Sequence, residues 1–584
     1  MGRKAWIALI AGVLVVFALA VGGWLAVTGV QARDHLQAAA TDITAAQKSL
    51  LASDTAAAQQ AIERAATETA AARAATSDPV WQVVGAIPLL GNTVKTVSLT
   101  ARAADQVTTQ ALPPLVTAVR ELQPDKIKAG SGALNLGRVT ESAAQLGLSS
   151  EALTAAQATL QSAPTTLVLG PVTEAHNTLA AKSADVQRSV DTGVRVLRVL
   201  PALLGADRPR TYFAAFQSPA EIRGTGGFLG TYAIMTVSNG KVSVDRVGTN
   251  SELVNFPAPV VDLGPDYAQL YGKSPASWVS MNLSPNFPYA AEQWATAWQL
   301  QTGQPIDGVI GLDVTALQYL VEATGPVTTP DGRSLTAVEI VPYFTRDIYA
   351  DFGEENSQRK QVQATVASEL LIRALSFDGD PGSLVKALTR SVSGRHLQVW
   401  SAAPTAQAAL LATPLAGATE VTADPYLQLV LNNGAGNKMD TYLQRTVSYR
   451  GGACNPTERN RASTVEVTLA NTLPSSGEVP KYVAGRVVDD RFVATRTNRT
   501  IVYIHLSHGA GVTSATLAGK PVKLFYGNEL GHPVAYTVVE LPPGGVPVRL
   551  LLNLLEPASG SPPRVPVQPM VLPQRTIVDY PPCL

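Results

Sequence analysis

Residues 6–27, WIALIAGVLVVFALAVGGWLAV, contain no charged side chain. A helix needs roughly 20 apolar residues to cross about 30 Å of hydrocarbon, so this one segment predicts a transmembrane helix and divides the chain by compartment. Trp6 and Trp24 stand near its ends, where indole rings favour the headgroup region. Arg3 and Lys4 precede the run and only Arg33 follows closely. The positive-inside rule then predicts a cytoplasmic N-terminus and an extracytoplasmic bulk. The run exceeds a signal-peptide core and no clear small-residue cleavage pattern follows it, so it reads as an uncleaved anchor. No later stretch approaches the roughly 18 consecutive apolar residues of a second span.

The remainder is too long for one ordinary core and predicts several domains. The chain has 45 basic and 45 acidic residues. No like-charge block appears, which argues against nucleic acid and against a polybasic lipid tether. The two cysteines, Cys454 and Cys583, both lie beyond the anchor. In an oxidising compartment they predict a disulfide tying the C-terminus to a loop near residue 454.

Residues 1–30 form the cytoplasmic tip and anchor, and 31–204 an Ala-rich helical stalk or bundle. Residues 31–77 lack Pro and Gly, and Leu36, Ile43 and Leu50 recur at steps of seven. That pattern predicts one long helix leaving the membrane, ended by Asp78-Pro79. Further helices are predicted over 92–121, 137–161 and 171–200, with links such as 129–132. His176 is read as a packing or surface residue.

Residues 205–420 read as a central α/β (α+β) domain. Strands are predicted at 211–216, 232–237 and 241–247, the last two joined by Ser238-Asn239-Gly240, a hairpin signal. A strand at 308–314, helices at 315–323 and 357–375, and a helical stretch over 381–413 complete it. Residues 421–557 are rich in strands with short turns and predict an immunoglobulin-like β-sandwich. Residues 558–584 form a Pro-rich tail.

No phosphate-binding P-loop, zinc-protease helix, nucleophile elbow or Cys-pair metal spacing occurs. His505 and His508 would face opposite sides of a strand and make a poor metal pair. Three stretches carry candidate ligand-binding residues. In 223–228, Arg223 offers a phosphate fork, and Gly226 and Gly227 let amides converge on an anion. The alternative is a tight turn with Arg223 paired to Glu221. In 346–361, Arg346, Arg359 and Gln361 offer phosphate contacts and Asp351 a hard-cation ligand. The alternative is a solvated helix start with ordinary ion pairs. In 280–288, Asn282 presents an amide from a Pro-rich loop, or that loop caps the helix near 289–301.

The runs 220–228 (AEIRGTGGF), 282–288 (NLSPNFP), 306–310 with 323–327, and 432–434 with 437–440 resemble, in this order, the bacterial envelope family known as domain of unknown function 4012. The order and spacing are also similar to LytR-CpsA-Psr enzymes, which transfer polyprenyl-diphosphate-linked glycopolymers to the cell wall using arginines, acids and a divalent metal. That resemblance places residues 305–325 on their central strand-helix segment. It places Arg346, Asp351, Arg359 and Gln361 on their late Arg-rich motif and Asn282 on their Lys-x-Asn element. Where those enzymes carry Pro-Arg-Asp and Arg-Ser-Asp, this chain has Gly248-Thr249-Asn250-Ser251-Glu252 and Gly226-Gly227-Phe228.

The resemblance implies an envelope protein that binds a polyprenyl-phosphate or a phosphorylated cell-wall polymer. Two other readings stand beside it: an active phosphotransferase using Mg2+, and a non-enzymatic protein that docks envelope partners.

Overall fold

The computed structural model describes residues 3–51, 54–89, 91–129, 133–353, 355–375, 379, 381–488 and 491–583. The chain divides into two compact units, Met1–Pro201 and Ala202–Leu584.

In the first unit, α1 (Arg3–Leu51) carries the 6–27 run on one uninterrupted helix. Among the described residues no helix is long and apolar enough to cross a membrane. The side chains of residues 6–15, 17 and 18, most of the run, lie outside those described. The single helix expected over 31–77 is divided. α2 (Thr55–Ala75) begins after Asp54, whose carboxylate accepts from the Ala57 amide at 2.9 Å and caps the new helix.

α2 runs back along α1, with Arg64 Nε donating to Asp42 at 2.9 Å and His35 2.7 Å from Glu68. Alanines at the contact, Ala32, Ala46, Ala61 and Ala72, are buried. Small residues let the two backbones approach closely. α3 (Asn92–Gln106), a π-helical turn Val107–Ala111 and α4 (Leu112–Glu121) follow. Pro113 and Pro114 lack the N–H that a regular α-turn needs there. α5 (Leu136–Gln161) and α6 (Gly170–Leu203) complete the bundle around Val139, Leu146, Leu153, Val190 and Val194. Of the predicted 129–132 link, residues 130–132 lie outside those described.

The second unit opens with a five-stranded mixed sheet. β1 (Arg210–Ser218), β2 (Phe228–Ser238), β3 (Lys241–Thr249), β4 (Gly308–Asp313) and β5 (Leu397–Ser401) stand in the order β3-β2-β1-β4-β5. Only β1 and β4 pair in parallel. Asn239 and Gly240 both take positive φ, 48° and 76°, as the two-residue hairpin requires.

Alternation along β1 sorts its side chains between two cores. Phe213 and Ala215 meet Trp278, Trp294 and Trp298 beneath α7 (Phe287–Thr302). Tyr212, Ala214 and Phe216 face the layer that includes α8 (Val314–Thr324) and α9 (Asn356–Leu375). The helical stretch expected over 381–413 is interrupted. α10 (Pro381–Ser393) leads into β5, and α11 (Pro404–Leu411) follows. β5 covers the β4 edge, whose backbone groups would otherwise be unpaired.

Two further sheets pack face to face. β6 (Leu427–Asn433), β9 (Asn498–Leu506), β12 (Phe525–Glu529) and β13 (His532–Leu541) form one, ordered β6-β9-β13-β12. The other contains β7 (Leu443–Asn455), β8 (Asn460–Asn471), β10 (Gly511–Leu517), β11 (Lys520–Pro521), β14 (Val548–Pro557) and β15 (Gln574–Asp579), ordered β11-β10-β14-β8-β7-β15. Leu429, Leu431, Val502 and Ile504 from the first meet Val447, Val465, Leu550 and Leu552 from the second. The Pro-rich tail is part of this body, since β15 pairs in parallel with β7. Cys583 is bonded to Cys454, with Cα atoms 5.8 Å apart. Arg461 donates to the Pro581 carbonyl at 2.6 Å and lies 4.1 Å from the Tyr580 ring.

The bridge spans 129 residues, so reduction should lower the unfolding free energy by about 5 kcal/mol on the loop-entropy model. Urea midpoints with and without reductant test this, and coincident curves would refute it.

Candidate functional site: a buried ion cluster and an adjoining cleft

The β1–β2 loop follows from its glycines. A Cβ on Gly224 would lie 2.3 Å from the Leu283 carbonyl oxygen, and one on Gly227 2.3 Å from that of Ser218. Gly226 takes φ 139°. The loop's amides serve its own turn, Gly226 N donating to the Arg223 carbonyl and Phe228 N to that of Glu221, both at 2.9 Å. The Asn282 amide nitrogen lies 2.9 Å from Gln217 Oε1, 3.0 Å from Thr225 Oγ1 and 2.7 Å from the Gly227 carbonyl. Asn282, Gly226 and Gly227 therefore come together, as a brace between two loops.

Arg223 is buried and turned inward. It donates to Glu221 Oε1 at 2.7 Å, to the Ile222 carbonyl at 2.8 Å and to the Val279 carbonyl at 3.2 Å. The ion-pair alternative weighed in the sequence is the arrangement present, with one addition. Lys438 Nζ bonds the other Glu221 oxygen. Burial alone would push the Glu221 carboxyl upward, but the Lys438 and Arg223 charges outweigh it and hold it below its usual range.

The same loop enters the sandwich. The Ile222 side chain sits in the core between its sheets. Ile222 N donates to Asp440 Oδ2 at 2.9 Å, Asn433 N to the Ile222 carbonyl at 3.1 Å, and Gln568 Nε2 to the Arg223 carbonyl at 2.8 Å. Asp440 also accepts from Asn433 at 2.7 Å and Asn498 at 2.6 Å. Its burial pushes the carboxyl up to about 6 despite those donors.

Arg359 lies on the far side of Lys438. It is 1% exposed, with its guanidinium 4.7 Å from the Tyr349 ring and 4.5 Å from Tyr482. Lys438 Nζ stands 5.2 Å from that same Tyr482 ring and 4.8 Å from Phe228. Arg359 Nη2 bonds Asn356 Oδ1, and its Nε has no partner among the described residues. Lys360 reaches across to Ser251 Oγ at 2.8 Å. Burial lowers its pKa, and the Arg359 and Lys438 charges lower it further. Arg223 and Lys438 thus share the buried carboxylate of Glu221, whereas Arg359 and Lys360 have no carboxylate partner among the described residues.

Asn356 and Ser251 open onto a cleft of about 840 Å³ between residues 247–252 and 355–365, within the size range of small-ligand sites. Its wall is mostly neutral and polar, including Thr249, Asn356, Gln358, Gln361 and Thr365. Of the two wall acids, Glu252 and Glu355, the first is paired with Arg246 at 2.6 Å.

Arg346 and Asp351 stand apart from this group. Arg346 pairs with Asp347 at 2.8 Å and Asp351 with Arg333 at 3.3 Å, with Asp347 partly buried and the other three exposed. Among the described residues no three His, Cys, Asp or Glu side chains gather into a metal-binding group. The carboxylate nearest the cations, Glu221, is already neutralised by two of them, so the donor set does not fit Mg2+. The predicted residues thus fall into a loop brace, a cation cluster with a cleft wall, and an exposed ion-pair surface. Sequence reasoning missed Lys438, Lys360, Asn356 and Tyr482 as partners. Lys438 had a signal, because it stands in the 437–440 run that carried part of the family resemblance.

Asp440 yields a pH test. Its pKa rises from 3.8 to about 6 in the fold, so its favourable contribution is present below the unfolded value and lost as pH rises through about 6. Glu221 titrates in both wild type and D440N, so subtraction isolates Asp440. The wild-type unfolding free energy, relative to D440N, should fall by about 3 kcal/mol between about pH 3.5 and about pH 7. A pH-independent difference in chemical denaturation would exclude this account.

No curated protein matches the chain. Residues 207–349 match the model of the family described as Protein of unknown function (DUF4012), which bears out the resemblance to that family over this segment.

Proposed function

We propose that this is a membrane-anchored, extracytoplasmic envelope protein whose central domain binds a phosphorylated or lipid-linked glycan. One observation carries the reading. Lys360 bridges to Ser251 beside a polar cleft, backed by Arg359 and Lys438, with cations in excess over the buried carboxylate. An anion entering beside Lys360 would relieve that excess, and charge-assisted bonds to phosphate are strong. The amide and hydroxyl wall suits sugar hydroxyls. The uncharged 6–27 segment supplies the anchor and the cysteine pair fits an oxidising compartment. On this reading the 205–420 domain is of LytR-CpsA-Psr type, adapted to binding, and the following sandwich is immunoglobulin-like.

A second reading, a docking protein, draws on the inward turn of Arg223 and Asn282, whose contacts described above are internal.

Binding of a short-chain polyprenyl phosphate to the full chain in detergent separates the two. K360Q and Q361A together should weaken binding at least about tenfold, the scale of one lost charge-assisted bond. R346A, at an exposed ion pair outside the cleft, should leave it unchanged. Equal affinity in wild type and the K360Q/Q361A variant would remove the first reading.

A further inference from the structure

One group of exposed apolar side chains stands out in the first unit. Val83, Ile87, Leu89, Leu167 and Leu169 are each between 42% and 70% exposed. They come from two segments, 79–94 and 152–173, neither of which contains an Asp, Glu, Lys or Arg. Polar bonds hold the segments together. Asn92 Nδ2 donates to the Thr166 carbonyl at 2.8 Å, Leu169 N to Thr93 Oγ1 at 3.2 Å, and Thr96 Oγ1 to the Pro164 carbonyl at 3.2 Å. A Cβ on Gly91 would lie 2.2 Å from the Val84 carbonyl oxygen, so the turn before α3 is folded tightly onto the short helix Pro79–Gly85.

This knob abuts α1 at one level. Trp24 Nε1 donates to Asp78 Oδ2 at 2.7 Å and Trp81 Nε1 to Thr28 Oγ1 at 2.8 Å. Those contacts bracket residue 27, where the apolar run of α1 gives way to Thr28. Trp24, Val27 and Val30 are themselves more than half exposed there. A largely apolar surface, bordered by Asp78 whose carboxylate accepts from the exposed Trp24 indole and lying beside an emerging apolar helix, has the chemistry of the bilayer interface.

We infer that the 79–89 and 164–169 segments form a membrane-contacting pad that dips into the lipid interface around α1. Membrane association then has two components, the anchor and the pad. The pad resists tilting of the first unit about the point where α1 emerges. This rests on the anchor reading for its geometry, and the test separates the two.

Full-length single-cysteine variants Leu19→Cys, Leu89→Cys, Leu167→Cys and Leu148→Cys would carry an environment-sensitive fluorophore. Among the described residues there is no free cysteine to compete for label. Position 148 is exposed on α5, and the 13 residues to Gln161 place it about 20 Å along the helix from its pad end. Each protein is reconstituted in phosphatidylcholine vesicles with and without brominated acyl chains.

Quenching of about twofold at 89 and 167, with none at 148, is expected for interfacial burial. Quenching at 19 but not at 89 or 167 overturns the pad and leaves the anchor intact. Quenching at 89 and 167 but not at 19 upholds the pad and removes the anchor. A blue-shifted but unquenched label at 89 and 167 marks a protein partner there and also overturns the inference. If no position is quenched, both fall.

Discussion

The Glu221 carboxylate, held between Lys438 and Arg223, is the contact on which the second unit depends. A carboxylate moved out of water costs several kcal/mol unless it is paired and hydrogen-bonded. Arg223 is two residues away in the chain, but Lys438 is 217 residues away. The pairing is therefore complete only when the mixed sheet and the sandwich have docked. Around it the backbone repeats the constraint, since Ala220 and Ile222 exchange hydrogen bonds with Asp440 and Asn433, and the Ile222 side chain fills the sandwich core. A loop that reads as a surface anion cradle is instead the join between two β-structures.

This explains which parts were legible in the sequence. Local rules sufficed where local geometry decides the outcome. The Asn239-Gly240 hairpin, the helix starting near residue 357 and the cysteine pair all formed as expected. They failed where a distant surface decides. Residues 397–401 become a strand because the β4 edge needs a partner, and 574–579 because β7 does. The break at Asp54 was written in a capping residue, but the uninterrupted Ala-rich composition masked it. At the site, Arg223 was correctly weighed against Glu221, whereas Lys438 could not be assigned without knowing which strands meet.

The family runs take on a common meaning in this frame. Residues from 220–228, 282–288 and 432–440 are buried and interlocked, with Asn432 Nδ2 donating to the Leu283 carbonyl at 3.0 Å and Asn286 Oδ1 accepting from Thr419 N at 3.0 Å. Their residue types are dictated by unsatisfied backbone groups and close glycine contacts, which leave few alternatives. The cleft residues Ser251, Asn356 and Gln361 face no such demand. Identity at the join reports on how the two β-structures meet, whereas identity around the cleft would report on what is bound there.

The electrostatics of the cluster point the same way. The field of Arg359 and Lys438 disfavours the charged form of Lys360. On the proposed reading, an anion in the cleft would oppose that field, so its binding and the protonation of Lys360 would be thermodynamically linked, each strengthening the other. Glu221 cannot provide the same relief, because both its oxygens already bond cations. Nor can Asp351, which is committed to Arg333 at the surface. The join thus holds a positive field at the edge of an accessible polar cleft, and the stability of the docked β-structures keeps that field in place.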